Sequence, residues 1–128
     1  MKKYILLFSV LSFQAIFSQN NETINSDEAP IYKAVDVDKK PDFPGGIAMF
    51  FQYVGKNFIV PKHDKPGRIY TIFVIEIDGS VTNIDVVRDE VGGKNEVIKL
   101  LKNCPKWIPG EKNGEKVRTT FAFPIKLD

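Results

Sequence analysis

The sequence predicts an α+β domain: two helices packed on one face of a three-stranded antiparallel sheet. Three observations predict it. Apolar residues recur at helical spacing in two stretches, strand-forming residues alternate in three others, and Pro or Gly marks the junctions. The order is helix, strand, strand, helix, strand, so a helix joins the second strand to the third. A right-handed crossover then sets the third strand beside the first and parallel to the second, in spatial order 2-1-3.

Each element has its own justification. Between Gly46 and Phe58, the residues Ile47, Phe50, Phe51, Val54 and Phe58 fall on one helical face, and Pro61 stops the chain from continuing as helix. Plain core packing explains this aromatic stripe better than a cofactor site does. Arg68 to Arg88 holds two β-rich runs joined by Asp78-Gly79, a pair favoured in two-residue type I′ turns. That turn would set Ile77 opposite Ser80, Ile75 opposite Thr82, Phe73 opposite Ile84 and Thr71 opposite Val86. On the other side it would set Tyr70 opposite Val87, Ile72 opposite Asp85 and Val74 opposite Asn83. A Ca²⁺ loop is excluded at EIDGS, because apolar Ile77 and Val81 interrupt the required run of oxygen ligands. Val97, Leu100, Leu101 and Cys104 form the stripe of a second helix, with Lys94, Lys99 and Lys102 on its wet side and Pro105 ending it. Val117 to Ile125 alternates as the last strand, and Pro124 places it at a sheet edge or near a strand end. Both helices should cover the face carrying Phe73, Ile84, Phe121 and Phe123. Ile31 to Asp38 alternates weakly and is expected as an extra N-terminal edge strand.

The N-terminus is of another kind. Residues 1–18 combine two lysines, an uncharged run from Tyr4 to Phe17 and small Ser18, the pattern of a secretory signal. The apolar run falls short of the ~20 residues a bilayer span needs, so cleavage is expected rather than a stable membrane anchor. Residues 19–40 then read as a polar leader, and residues 41–128 as the domain. Loss of Lys2 and Lys3 would lower the basic count from 18 to 16, equal to the acidic count. A neutral surface argues against nucleic-acid binding. One cysteine makes no internal disulfide, so the core alone must hold the fold.

The chemistry of an enzyme is missing. Cys104 lies on an apolar stripe, and His63 sits in a polar loop beside Asp64 alone, too few ligands for a metal and without an orienting residue for a nucleophile pair. Gly45-Gly46 and Gly92-Gly93 precede helices, where ordinary helix-start geometry is preferred over an anion site because no strand runs directly into either pair. Neither catalysis, cofactor nor metal is expected. The segment NCPKWIPGEKNGEKV is read as a corner: Pro105 stops the helix, Lys106 to Pro109 crosses the sheet end, Trp107 plugs the core, and Gly110 with Asn113-Gly114 turns the chain into the last strand.

PDFPGG before a helix ending in GKNFIVP, then GRIYTIFVIEIDGSVTNIDVVRD, then CPKWIPGEKNGEKVRTTFAFPIKL, resembles the C-terminal domain of TonB proteins in the form common in Bacteroidota, over about Pro41 to Leu127. The order and spacing of these motifs carry the resemblance, most of all PKWIPG before FAFPI. It implies a periplasmic binding module of energy-coupled transport. In the family an inner-membrane motor pulls on outer-membrane receptors through this domain, which holds a receptor segment, the TonB box, as an added strand beside the last strand. Carried over, the partner edge is Val117, Arg118, Thr119, Thr120, Phe121, Ala122 and Phe123. The chain departs from a full transducer: a short signal precedes a leader of roughly 20 residues, which reaches only about 70 Å when extended. The other function class consistent with the sequence is an envelope interaction or structural protein that uses the fold without a transport role. Tyr70, Ile72, Val74, Val81 and Val87 should form an apolar patch on the sheet face away from the helices. The Ile31 to Asp38 segment is the expected cover; the sharper reading is a second interaction face at Tyr70, Ile72, Val74 and Val87, serving a homodimer or another envelope protein.

Overall fold

Helix α1 (Ile47–Asn57) starts after Gly46, and α2 (Lys94–Lys102) after Gly93. The strands are β1 (Ile31–Tyr32), β2 (Gly67–Ile75), β3 (Val81–Asp89), β4 (Gly110–Lys112) and β5 (Glu115–Leu127). This computed structural model describes residues 29–128. The signal segment expected at residues 1–18 and most of the polar leader lie outside the described residues.

The expected three-stranded antiparallel sheet is corrected to a five-stranded mixed one. Its order is β1-β5-β2-β3, with β4 also paired to β5. The anticipated order 2-1-3 survives as the β3-β2-β5 portion, with β2 antiparallel to both neighbours. Two short strands account for the difference. Ile31 and Tyr32 pair in parallel with Arg118 and Thr119, which makes the sheet mixed. Gly110–Lys112 folds back on Glu115–Val117 across a two-residue turn at Asn113-Gly114, both with positive φ (53° and 80°), the geometry of a type I′ hairpin. Only part of Ile31 to Asp38 becomes strand; Ala34–Asp36 forms a 3₁₀ turn.

Asp78-Gly79 makes a different turn from the one expected. Glu76 N donates to Ser80 O and Gly79 N to Glu76 O, so three residues, Ile77 to Gly79, connect the strands, with Gly79 left-handed at φ 87°. A three-residue loop ending in a left-handed Gly is the usual alternative to the type I′ turn. It changes the register by one at the turn: Ile75 faces Val81 and Val74 faces Thr82. A bulge near Asn83, which has φ 49°, restores the expected pairs Thr71–Val86 and Ile72–Asp85, and a second shift sets Tyr70 opposite Arg88. Because side chains alternate, the shift turns Val81 inward, where it packs on the core rather than on the outer face.

The core is aromatic. Phe50, Phe73 and Phe123 are buried with Trp107, whose ring centroid lies 4.8 Å from Phe50 and 5.0 Å from Phe121. Trp107 plugs the end of this core as expected, and its backbone N–H donates to Gly79 O at 2.8 Å, docking the corner onto the hairpin turn. A side chain at Gly79 would meet the Trp107 carbonyl, so both the positive φ and the close approach require glycine there. Helix α2 buries Val97, Leu100 and Leu101, with Cys104 half-buried behind them. Helix α1 is rotated from the expected stripe. Phe50, Tyr53 and Val54 face the core, while Ile47 and Phe51 are 40% and 54% exposed. Tyr53 explains the rotation: its hydroxyl donates to the Leu100 carbonyl of α2 at 2.8 Å, satisfying the polar tip while its ring packs.

Candidate functional site

Strand β5 runs past the end of β2 at one terminus, which gives it three kinds of neighbour. On one side Thr119 to Leu127 pairs with Ile75 to Gly67 of β2. On the other side Arg118 and Thr119 hold β1. Glu115 to Val117 pairs with β4. From Thr120 to Leu127, no strand among the described residues pairs with the edge that faces away from β2. Pro124 lies within this stretch, as expected of a proline confined to an edge strand.

The seven residues of the expected partner edge therefore divide. Val117 is paired with Gly110, Arg118 with Ile31 and Thr119 with Tyr32. Thr120, Phe121, Ala122 and Phe123 are open on the outer side, and the opening continues through Pro124, Ile125, Lys126 and Leu127. Alternation in the sequence could have shown this longer reach, since Val117 to Ile125 already reads as strand.

The second face is also divided. Ile72 (39% exposed) and Val87 (54%) are open and Tyr70 is half-buried, whereas Val74 is 4% exposed. Tyr70, Ile72, Val87, Ala122 and Pro124 line an open apolar depression of about 380 Å³ with Arg88 on its wall. Ala122 and Pro124 belong to the open stretch of β5, so depression and edge adjoin. The Ile31 to Asp38 segment does not cover this depression; its strand part lies in the plane of the sheet at Arg118 and Thr119.

A buried ion pair flanks the edge, and the sequence reading missed it. Arg118 Nε and Nη2 donate to the Glu76 carboxylate at 2.7 and 3.0 Å, with the two side chains only 7% and 13% exposed. Thr82 Oγ1 donates to the same carboxylate, and Arg118 Nη1 donates to the Ala29 carbonyl at 3.0 Å. The Arg118 guanidinium holds the Glu76 carboxyl below its ordinary range, against the burial that raises it. The available signal was alternation, which puts Glu76 and Arg118 on the same face of neighbouring strands.

The other candidates carry structure. Asp89 Oδ1 accepts from the amides of Val91, Gly92 and Gly93, and Oδ2 from that of Lys94 at 2.9 Å. The chain's own carboxylate thus fills the amide nest at the start of α2, where an external anion would otherwise sit. His63 places Nδ1 2.8 Å from the Pro61 carbonyl and Nε2 3.1 Å from that of Asp128, and these two acceptors raise its pKa. Burial pushes the Cys104 thiol up, with Trp107 acting in the opposite direction, so the unreactive thiol form dominates at neutral pH. Among the described residues, no three His, Cys, Asp or Glu side chains gather as metal ligands, and no helix is long and apolar enough to cross a membrane.

Residues 61–127, just over half of the chain, match the family described as Gram-negative bacterial TonB protein C-terminal. No curated protein and no solved structure matches the chain. The match begins in the loop before β2 and takes in β2, β3, α2, β4 and β5, including the whole open edge.

Proposed function

The chain belongs to the TonB C-terminal family, and on that premise we propose that it is a periplasmic binding module that holds an extended segment of a TonB-dependent outer-membrane receptor as an added strand, in the service of energy-coupled transport. The family is one of protein-interaction domains in the envelope of Gram-negative bacteria. One observation carries the reading: from Thr120 to Leu127 the outer edge of β5 is open, while the inner edge of that same stretch is fixed to β2 throughout.

An open edge presents backbone N–H and C=O groups at a fixed spacing, and an extended peptide satisfies them with little demand on its side chains. Affinity then comes from the main chain, and specificity from whatever the flanking side chains meet. The rigid support is in place: Phe123 and Ile125, on the inner face of the same stretch, are buried in the aromatic core. A segment added here would extend the sheet without disturbing that core.

A backbone amide titration of the chain from Gln19 to Asp128 with TonB-box peptides from receptors of the same cell tests the proposal. The expected result is chemical-shift change confined to β5 from Thr120 to Leu127 and its immediate neighbours. No change at millimolar peptide, with the domain folded, would overturn it and favour an envelope interaction protein that uses the apolar face at Tyr70, Ile72 and Val87.

A further inference from the structure

The outer edge of β5 already holds one strand. Ile31 and Tyr32 take the Arg118 and Thr119 positions in parallel register, and Thr120 Oγ1 donates to the Tyr32 carbonyl at 3.5 Å. Arg118 reaches back to the Ala29 carbonyl, and Lys112 Nζ lies 5.4 Å from the centroid of the Tyr32 ring. The open stretch begins at the next residue.

We propose that β1 is a built-in competitor for this edge, so that an incoming extended segment occupies Arg118 and Thr119 only when β1 leaves. The inference rests on the strand-addition reading and deepens it. A backbone edge position bonds to one strand at a time, and neighbouring strands lie about 4.8 Å apart, so two segments cannot share Arg118 and Thr119. An incoming segment that starts along Thr120 to Leu127 and grows toward the start of β5 meets Tyr32 at the first closed position.

The ladder that holds β1 is short, and the contacts from Thr120, Arg118 and Lys112 that supplement it are side-chain ones. That ladder is two residues long, it is parallel, and Ile31 is 42% exposed. The seat it would vacate is firm. Arg118 is fixed by Glu76 independently of Ala29, and Thr119 is fully buried and paired with Ile75 of β2. Release of β1 therefore exposes a preorganised extension of the edge. The partner this surface fits is an extended segment longer than the open stretch alone accommodates.

The test uses the chain from Gln19 onward, which carries every described residue, and a synthetic TonB-box peptide. Ile31→Gly with Tyr32→Gly weakens β1, leaves the Tyr32 carbonyl that accepts from Thr120 in the chain, and changes no residue of the open stretch. The parent should show a footprint from Thr120 to Leu127. The variant's footprint should extend to Arg118 and Thr119, with affinity rising about five- to tenfold, the worth of one or two backbone hydrogen bonds. Tyr32→Ala alone, which removes the ring beneath Lys112, should move affinity the same way by less, and serves if the double variant folds poorly. An unchanged footprint and affinity, or weaker binding, would overturn the proposal while leaving strand addition intact. Absence of binding to parent and variants alike would overturn strand addition itself and the competition with it.

Discussion

At the scale of the residue, Asp89 shows how one side chain sets a local structure. Its carboxylate accepts four backbone N–H groups at the start of α2. Partial burial works against the charge, but these bonds outweigh it and hold the carboxyl below its ordinary range. A depressed carboxyl contributes stability that is present above its unfolded pKa and lost as pH falls through the folded one. Asp89→Ala should therefore cost about 1 kcal/mol at pH 7, the worth of a helix cap, and the difference should shrink below about pH 4. Urea denaturation of both proteins at pH 7 and pH 3 checks this. The sequence showed Gly92-Gly93 as a helix start but not what fills it. An Asp three residues before a Gly pair has many roles, and only the fold of β3 into α2 aims it at those amides.

At the scale of the element, β5 was legible in kind and misjudged in company. Alternation from Val117 to Ile125 identified the strand and the inward Phe121 and Phe123, and Pro124 identified its edge position. Of its short partners, β1 was expected as an edge strand but over the longer span Ile31 to Asp38, and β4 was not legible, because two or three residues are too few for alternation to register. The hairpin of β2 and β3 failed for a different reason. Asp-Gly suits both a two-residue turn and the last two residues of a three-residue one, and Trp107 docks on the form present here. The ion pair between Glu76 and Arg118 ties that hairpin to β5. Removing one partner leaves the other charge buried, so Glu76→Ala should cost about 3 kcal/mol, whereas Glu76→Leu combined with Arg118→Met should cost much less. Thermal unfolding followed by emission of the single tryptophan, Trp107, checks both, since its ring sits in the aromatic core.

At the scale of the whole molecule, the α+β class, both helices and the central β3-β2-β5 arrangement were readable because each has a long amphipathic signature. The edge pattern was not, because it depends on which segments come to rest beside β5 after the core has formed. That dependence bears on how the domain folds. The turn between β2 and β3 closes locally, but Gly67 pairs with Leu127 and Ile75 with Thr119, contacts between residues far apart in the chain. Closing such long loops is entropically late, so the hairpin should be structured in the folding transition state and β5 should not. Val86→Ala should then slow refolding, while Ile125→Ala should mainly accelerate unfolding, as stopped-flow measurements across denaturant would show. A newly made chain would accordingly have no edge to offer until its last residues had joined the sheet, and capture of a segment on that edge would report that folding is complete.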